Sequence, residues 1–168
     1  MEERFMRGAK TVLVLLLFSL VAGCAGYAPS KDVIGQSRAS LVATMGQPER
    51  EYRLDDVAVL HFPRGPSGSH TYFVYIDGND RVIKWEQVLT EARFDTIQPG
   101  MTDEQVIKTL GMTKISHGLA RQRGYVWHYR YENNQCKSFV IEFATDNTVR
   151  SAGYRTRSGR RCKDVGMG

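Results

Sequence analysis

Ile97-Gln-Pro-Gly-Met-Thr-Asp-Glu-Gln-Val-Ile-Lys-Thr-Leu-Gly111 reads as a turn, a capped helix and a helix stop. Pro99-Gly100 is the turn signal. Thr102 is a good N-cap, because its hydroxyl can accept from an orphan N–H of the first turn, and Gln105 three residues on completes a capping box. Asp103 and Glu104 place negative charge where the helix dipole favours it. Val106, Ile107 and Leu110 make one apolar face, and Gly111 supplies the left-handed residue that ends the helix.

The same plan occurs earlier. Ser37-Arg-Ala-Ser-Leu-Val-Ala-Thr-Met-Gly46 has a capping Ser37, an apolar set of Leu41, Val42 and Met45, and a stop at Gly46-Gln-Pro48. Gly46 to Gly111 is an offset of 65 residues. Val59-Leu-His-Phe62 matches Val126-Trp-His-Tyr129, and Tyr72-Phe-Val-Tyr-Ile76 matches Phe139-Val-Ile-Glu-Phe143, both at an offset of 67, as from His61 to His128. An ordered series of matches with so little drift marks an internal repeat.

Each copy has β runs after its helix. Glu49 to Leu54, Val57 to Phe62, Thr71 to Ile76 and Arg81 to Glu86 are the strands expected in the first. Pro63 to Ser69 is expected as loop, since its prolines and glycines suit no strand interior. Asp77-Gly-Asn-Asp80 is a hairpin turn. Lys114 to His117, Tyr125 to Tyr131, Lys137 to Phe143 and Val149 to Tyr154 repeat the series, with Asp146-Asn147 as the equivalent turn. A short helix capped by Thr90 links the copies. The fold class is α+β: two tandem lobes, each with short helices packed on one face of a small antiparallel sheet. The expected boundaries are 31–88 and 89–157, with 158–168 a basic tail.

Alternation assigns faces. Leu60, Phe62, Tyr72, Val74 and Ile76 should face the first lobe's helices; Trp127, Tyr129, Phe139, Ile141 and Phe143 should face the second's. The opposite face carries His61, Phe73 and Tyr75, with His128 in the second lobe. An aromatic sheet face without a helix of its own is the expected partner-binding face.

The start of the chain has a different character. Arg4, Arg7 and Lys10 precede an apolar run from Thr11 to Ala22, short for a permanent span. Leu20-Val-Ala-Gly-Cys24 resembles the lipobox of bacterial lipoprotein signal peptides. The resemblance implies that 1–23 is removed, Cys24 is lipidated, and 24–30 is a tether. Ala25 after the cysteine implies, by resemblance to enterobacterial sorting, the outer membrane, with the fold facing the periplasm. Removal of three basic and two acidic residues lowers the net charge from +5 to +4. That mild excess sits much in Arg155, Arg157, Arg160, Arg161 and Lys163. Such a tail could bind nucleic acid, but in an exported protein anionic lipid or an acidic partner surface suits it better and a plain solvated tail better still, so no nucleic-acid partner is expected.

Little in the chain suggests chemistry. His61, His70, His117 and His128 have no zinc-type spacing, and there is no Gly-x-Ser-x-Gly elbow or phosphate loop. No metal, cofactor or catalytic residue is expected. Cys136 and Cys162 lie too far apart for a Cys-x-x-Cys motif, which leaves a structural disulfide or a Cys136 nucleophile paired with a histidine. Once Cys24 is lipidated, they are an even pair in an oxidising compartment, where a disulfide is expected, with a Cα separation of about 4.4–6.8 Å.

The lipobox, the Ile97–Gly111 motif and the strands after it resemble the SmpA/OmlA, or BamE-like, outer-membrane lipoproteins, over residues 94–154. The proline that usually comes after the glycine stop is replaced here by Met112-Thr113, and the first lobe keeps it as Pro48. Two copies in tandem resemble the architecture of the β-lactamase inhibitor protein, and the connecting Trp85-Glu-Gln-Val-Leu-Thr90 resembles that of tandem proteobacterial lipoproteins. These resemblances imply a non-enzymatic protein-binding or assembly module of the cell envelope. It would be anchored in outer-membrane lipid, with a protein partner among which β-barrel assembly components are included. The alternative they imply is an inhibitor that covers an enzyme with its concave sheet.

Overall fold

The computed structural model describes residues 28–121 and 123–156. A 3₁₀ turn, Lys31–Val33, and helix α1, Arg38–Met45, precede strands β1 (Arg50–Leu54), β2 (Val57–Arg64), β3 (His70–Ile76) and β4 (Val82–Gln87). Helices α2 (Glu91–Phe94) and α3 (Asp103–Leu110) precede β5 (Ile115–Gly118), β6 (Tyr125–Arg130), β7 (Lys137–Phe143) and β8 (Val149–Thr156). The strands form two four-stranded antiparallel meanders, β1-β2-β3-β4 and β5-β6-β7-β8.

The helix ends are set by their caps. Ser37 Oγ accepts from the Ser40 N–H, and Thr90 Oγ1 from the Arg93 N–H. Thr102 and Gln105 form the full capping box: Gln105 N–H donates to Thr102 Oγ1 at 3.2 Å, and Thr102 N–H to Gln105 Oε1 at 2.8 Å.

The repeat extends to individual hydrogen bonds. Arg38 N–H donates to Asp80 O and Asp103 N–H to Asn147 O; Gly35 N–H donates to Val82 O and Gly100 N–H to Val149 O. Asp80 and Asn147, at the ends of the two hairpin turns, both take positive φ, 61° and 63°. Both third strands shift register at matching places, Tyr75/Ile76 and Glu142/Phe143.

One strand runs longer than expected. Pro63 and Arg64 belong to β2 and pair with Thr71 and His70. Glu49 N–H donates to His61 O, so His61 turns its polar groups toward β1 and Pro63, two residues on, does the same. β1 begins only at Arg50, opposite His61, so no ladder partner is lost where proline lacks its N–H.

The layers alternate helix, sheet, helix, sheet. Leu60, Phe62, Tyr72, Val74 and Ile76 pack with Val33 and Leu41 in the outer core. The larger core joins the lobes. Val59 and Phe73, from the other face of sheet one, lie in one cluster with Phe94, Ile97, Val106, Ile107 and Leu110, and with Trp127, Tyr129, Phe139, Ile141 and Phe143 of sheet two. The helix-facing sets agree with the alternation of the strands. The back face of sheet one is not open, because the helices of the second lobe cover it.

Candidate functional site

The four residues expected on one binding face divide between two surroundings. Phe73 is 0% exposed and His61 1%. Their rings stack at 3.8 Å, and Tyr52 meets His61 edge-on at 5.2 Å. Both belong to the seam between the lobes, so the expectation that they form a partner-binding face is corrected. Burial removes the water that a docking partner would displace, and here the displacement has occurred within the chain.

His61 has no hydrogen-bond partner for either ring nitrogen among the described residues. Burial, assisted by the nearby Arg50 charge, lowers its pKa to about 4, so the ring is neutral at neutral pH. A neutral imidazole stacked on phenyl suits a dry seam; an imidazolium there would lack both water and a counter-charge.

Tyr75 sits at the rim of this seam, half-buried. Its hydroxyl donates to Glu86 Oε1 at 2.5 Å, and Glu86 also pairs with Arg93 at 2.6 Å and Lys84 at 3.3 Å. Burial and the Glu86 carboxylate push the Tyr75 phenol up to about 12. Burial alone would raise Glu86, but the bonds from Tyr75 and Arg93 hold it below its ordinary value. Tyr75 and Arg93 thus share Glu86 of β4, which links β3 to α2. Arg50–Glu104 at 2.9 Å and Lys114–Glu49 add ion pairs across the seam.

His128 lies elsewhere, on the back face of sheet two. Alternation and register place Ile115, Val126, His128, Ser138 and Val140 together there. Val126 and Val140 are each 7% exposed, while His128 is half-buried and His117, Arg130 and Arg155 are exposed around them. His117 meets His128 edge-on at 5.6 Å. Burial, then the neighbouring His117 and Arg130, holds His128 below the ordinary imidazole value.

A cleft of about 740 Å³ opens over this face. Ile115, His128 and Ser138 line it from the sheet, and Pro66 and Ser69 from a loop of lobe one, with His70 at the start of β3. The loop is held by Arg130 Nη1 donating to Ser67 Oγ at 3.1 Å and by the His70–Glu132 contact at 3.0 Å. Ser69 Oγ lies 3.1 Å from His70 Nδ1. This Ser–His–Glu series resembles a nucleophile relay only in composition: the Glu132 side chain is 82% exposed, where water screens the charge a triad acid must apply. Sequence reasoning missed Ile115, Ser138 and His70, because their grouping depends on strand register and on a loop reaching across the lobes.

Cys136 is disulfide-bonded and buried, so it offers no thiolate nucleophile. Its expected partner Cys162 lies outside the described residues, as do Cys24 and the tail. Among the described residues, no three His, Cys, Asp or Glu side chains gather as metal ligands, and no helix is long and apolar enough to cross a membrane.

Residues 86–153 match the model of the outer membrane protein assembly factor BamE domain. This part of the chain, from the last strand of sheet one through most of sheet two, is a BamE-like domain. No curated protein matches the chain in sequence. Among solved structures, a putative osmotically inducible lipoprotein, OsmE, aligns at 17% identity and a TM-score of 0.35, over 45% of this chain and 83% of its own. A DUF4309 family protein (YjgB) from Bacillus subtilis aligns at 13% identity and 0.29, over 80% and 84%. An extracellular protein with an SCP domain from Bacillus anthracis aligns at 9% identity and 0.33, over 86% and 56%.

Proposed function

We propose that this chain is a non-catalytic, lipid-anchored module of the cell envelope that binds another protein through the back face of sheet two. The observation that carries the reading is the BamE-domain match over 86–153, which includes the strands that form this face. Its apolar centre, with a polar and basic rim, has the build of a small protein-binding patch. Cys24 supplies the anchor, in the outer membrane and facing the periplasm, and outer-membrane β-barrel assembly components are the proposed partners. Lobes of 31–88 and 89–157 form a tandem of the kind resembled by the β-lactamase inhibitor protein. Cys162 is the proposed partner of Cys136, a bond that would tie the basic tail to the start of β7. The inhibitor alternative draws less support, because the back face of sheet one is taken up by the seam and contributes nothing to a shared concave surface.

The test is affinity capture from detergent-solubilised membranes, comparing the natural chain with His128→Glu. Recovery of barrel-assembly components by the natural chain, and their loss with His128→Glu at an unchanged melting temperature, is expected. Equal recovery by both would contradict the site, and recovery of a single soluble enzyme would favour inhibition. In the same preparations, Cys24→Ser should abolish partitioning into the detergent phase; unchanged partitioning would refute the anchor.

A further inference from the structure

Sheet one shows what this kind of back face receives. α3 ends on it at Gly111, whose backbone enters a notch between Thr71, Phe73 and His61. A Cβ at Gly111 would lie 2.8 Å from Thr71 Cγ2, 3.4 Å from Phe73 Cε1 and 3.8 Å from His61 Nδ1. In sheet two the same three positions are Ser138, Val140 and His128: His61 pairs with Phe73 as His128 pairs with Val140. The chain also carries a second helix end of Gly111's kind. Gly46 closes α1 with φ 76°, against 79° at Gly111, and a Cβ there would meet nothing within 4 Å among the described residues. Among the described residues one glycine helix end is seated and one is not, and the notch of sheet two receives no helix end.

We propose that the α1–Gly46 end of a second copy of this chain docks on the back face of sheet two, head to tail, continuing the alternation of helix and sheet from one copy into the next. The proposal rests on the reading of that face as a docking surface. The flanking residues agree with it on both sides at once. In the internal seam Arg50 pairs with Glu104 at 2.9 Å. The counterpart of Arg50 is Ile115, opposite His128 as Arg50 is opposite His61. The counterpart of Glu104, two residues after the N-cap, is the exposed Ala39. A charge pair in one interface is thus replaced by an apolar pair in the other, and the half-buried Glu142, opposite Val126, is the acidic group that this face keeps. The second internal pair, Lys114 with Glu49, maps onto itself at the repeat offset of 65, so Glu49 of the incoming copy faces Lys114 of the receiving one with attraction. Val42, half-buried, takes the place of the buried Ile107 and gains cover. An interface whose two ends lie on different surfaces is heterologous, and it extends or closes according to its rotation.

The experiment uses the full exported chain in detergent, with sedimentation velocity across a micromolar to millimolar range. Association that rises with concentration is expected. Ile115→Arg alone and Ala39→Glu alone should each weaken it about tenfold, the scale of a disturbed interface anchor. The two together recreate the Arg50–Glu104 pair between copies and should restore it. A photo-crosslinker at Val42, in mixtures of isotopically light and heavy chains, should give mixed adducts within residues 125–142. A concentration-independent monomer, adducts confined to one chain's own residues 157–168, or failure of the double variant to restore association would overturn the proposal. Capture of barrel-assembly components without self-association would overturn it too, while leaving the docking function standing.

Discussion

The back faces of the two sheets are made from matching sequence and lead different lives. Val59, His61 and Phe73 lie under α2 and α3; His128 lines a cleft, with Val126 and Val140 on the same sheet face. The strands, their order and the bulge position are the same in both. The difference lies in what packs on each face. After sheet one the chain continues into another helix layer, which covers that sheet's back face. The composition of such a face therefore does not decide whether it becomes core; what packs on it does.

Substitutions at matching positions separate the two roles. The largest effect is expected for Phe73→Ala, which empties a fully buried aromatic site in the seam and should cost about 3–5 kcal/mol in denaturant unfolding. A loss below about 1 kcal/mol would show that the seam is loosely packed. Acid should act next, through His61. Its pKa is lowered from 6.5 to about 4 on folding, so the neutral ring contributes its full stability above pH 6.5, and this is lost as pH falls towards 4. The loss amounts to about 3 kcal/mol across that window. His61→Leu should flatten the slope and leave the neutral-pH stability equal or higher, since it removes two unpartnered nitrogens. An unchanged slope in His61→Leu would place the acid sensitivity elsewhere. The smallest effect is expected at the exposed seam pair: Glu104→Gln should cost about 0.5 kcal/mol and less in high salt.

The elements were legible because their signals are local. The caps at Ser37, Thr90 and Thr102, the glycine stops and the hairpin turns each act within a few residues, and the strands' alternation named the helix-facing side chains correctly. The covering of sheet one was not legible. It depends on contacts between residues far apart, such as Tyr52 donating to the Lys108 carbonyl at 3.3 Å, and nothing in the pattern of β2 or β3 encodes them. Phe73 gave a hint in retrospect, because a fully apolar ring matched by the smaller Val140 suits a permanent seam. Pro63 misled because the rule against proline in strands concerns its missing N–H, and here that bond had no partner to lose.

The central claim is that the α3 end is seated on sheet one while its repeat counterpart is not. Paired unfolding measurements on Gly111→Ala and Gly46→Ala test it most directly. Both glycines combine positive φ with ψ near 180°, a conformation essentially confined to glycine, so both variants share a backbone penalty of about 1–3 kcal/mol. Only at Gly111 does the new methyl meet Thr71 Cγ2 at 2.8 Å, which should add about 1–3 kcal/mol of overpacking. Thr71→Ser removes that methyl and should recover much of the excess in the double variant. Equal costs at the two glycines, with Thr71→Ser making no difference, would contradict the account and leave the back face of sheet one uncovered.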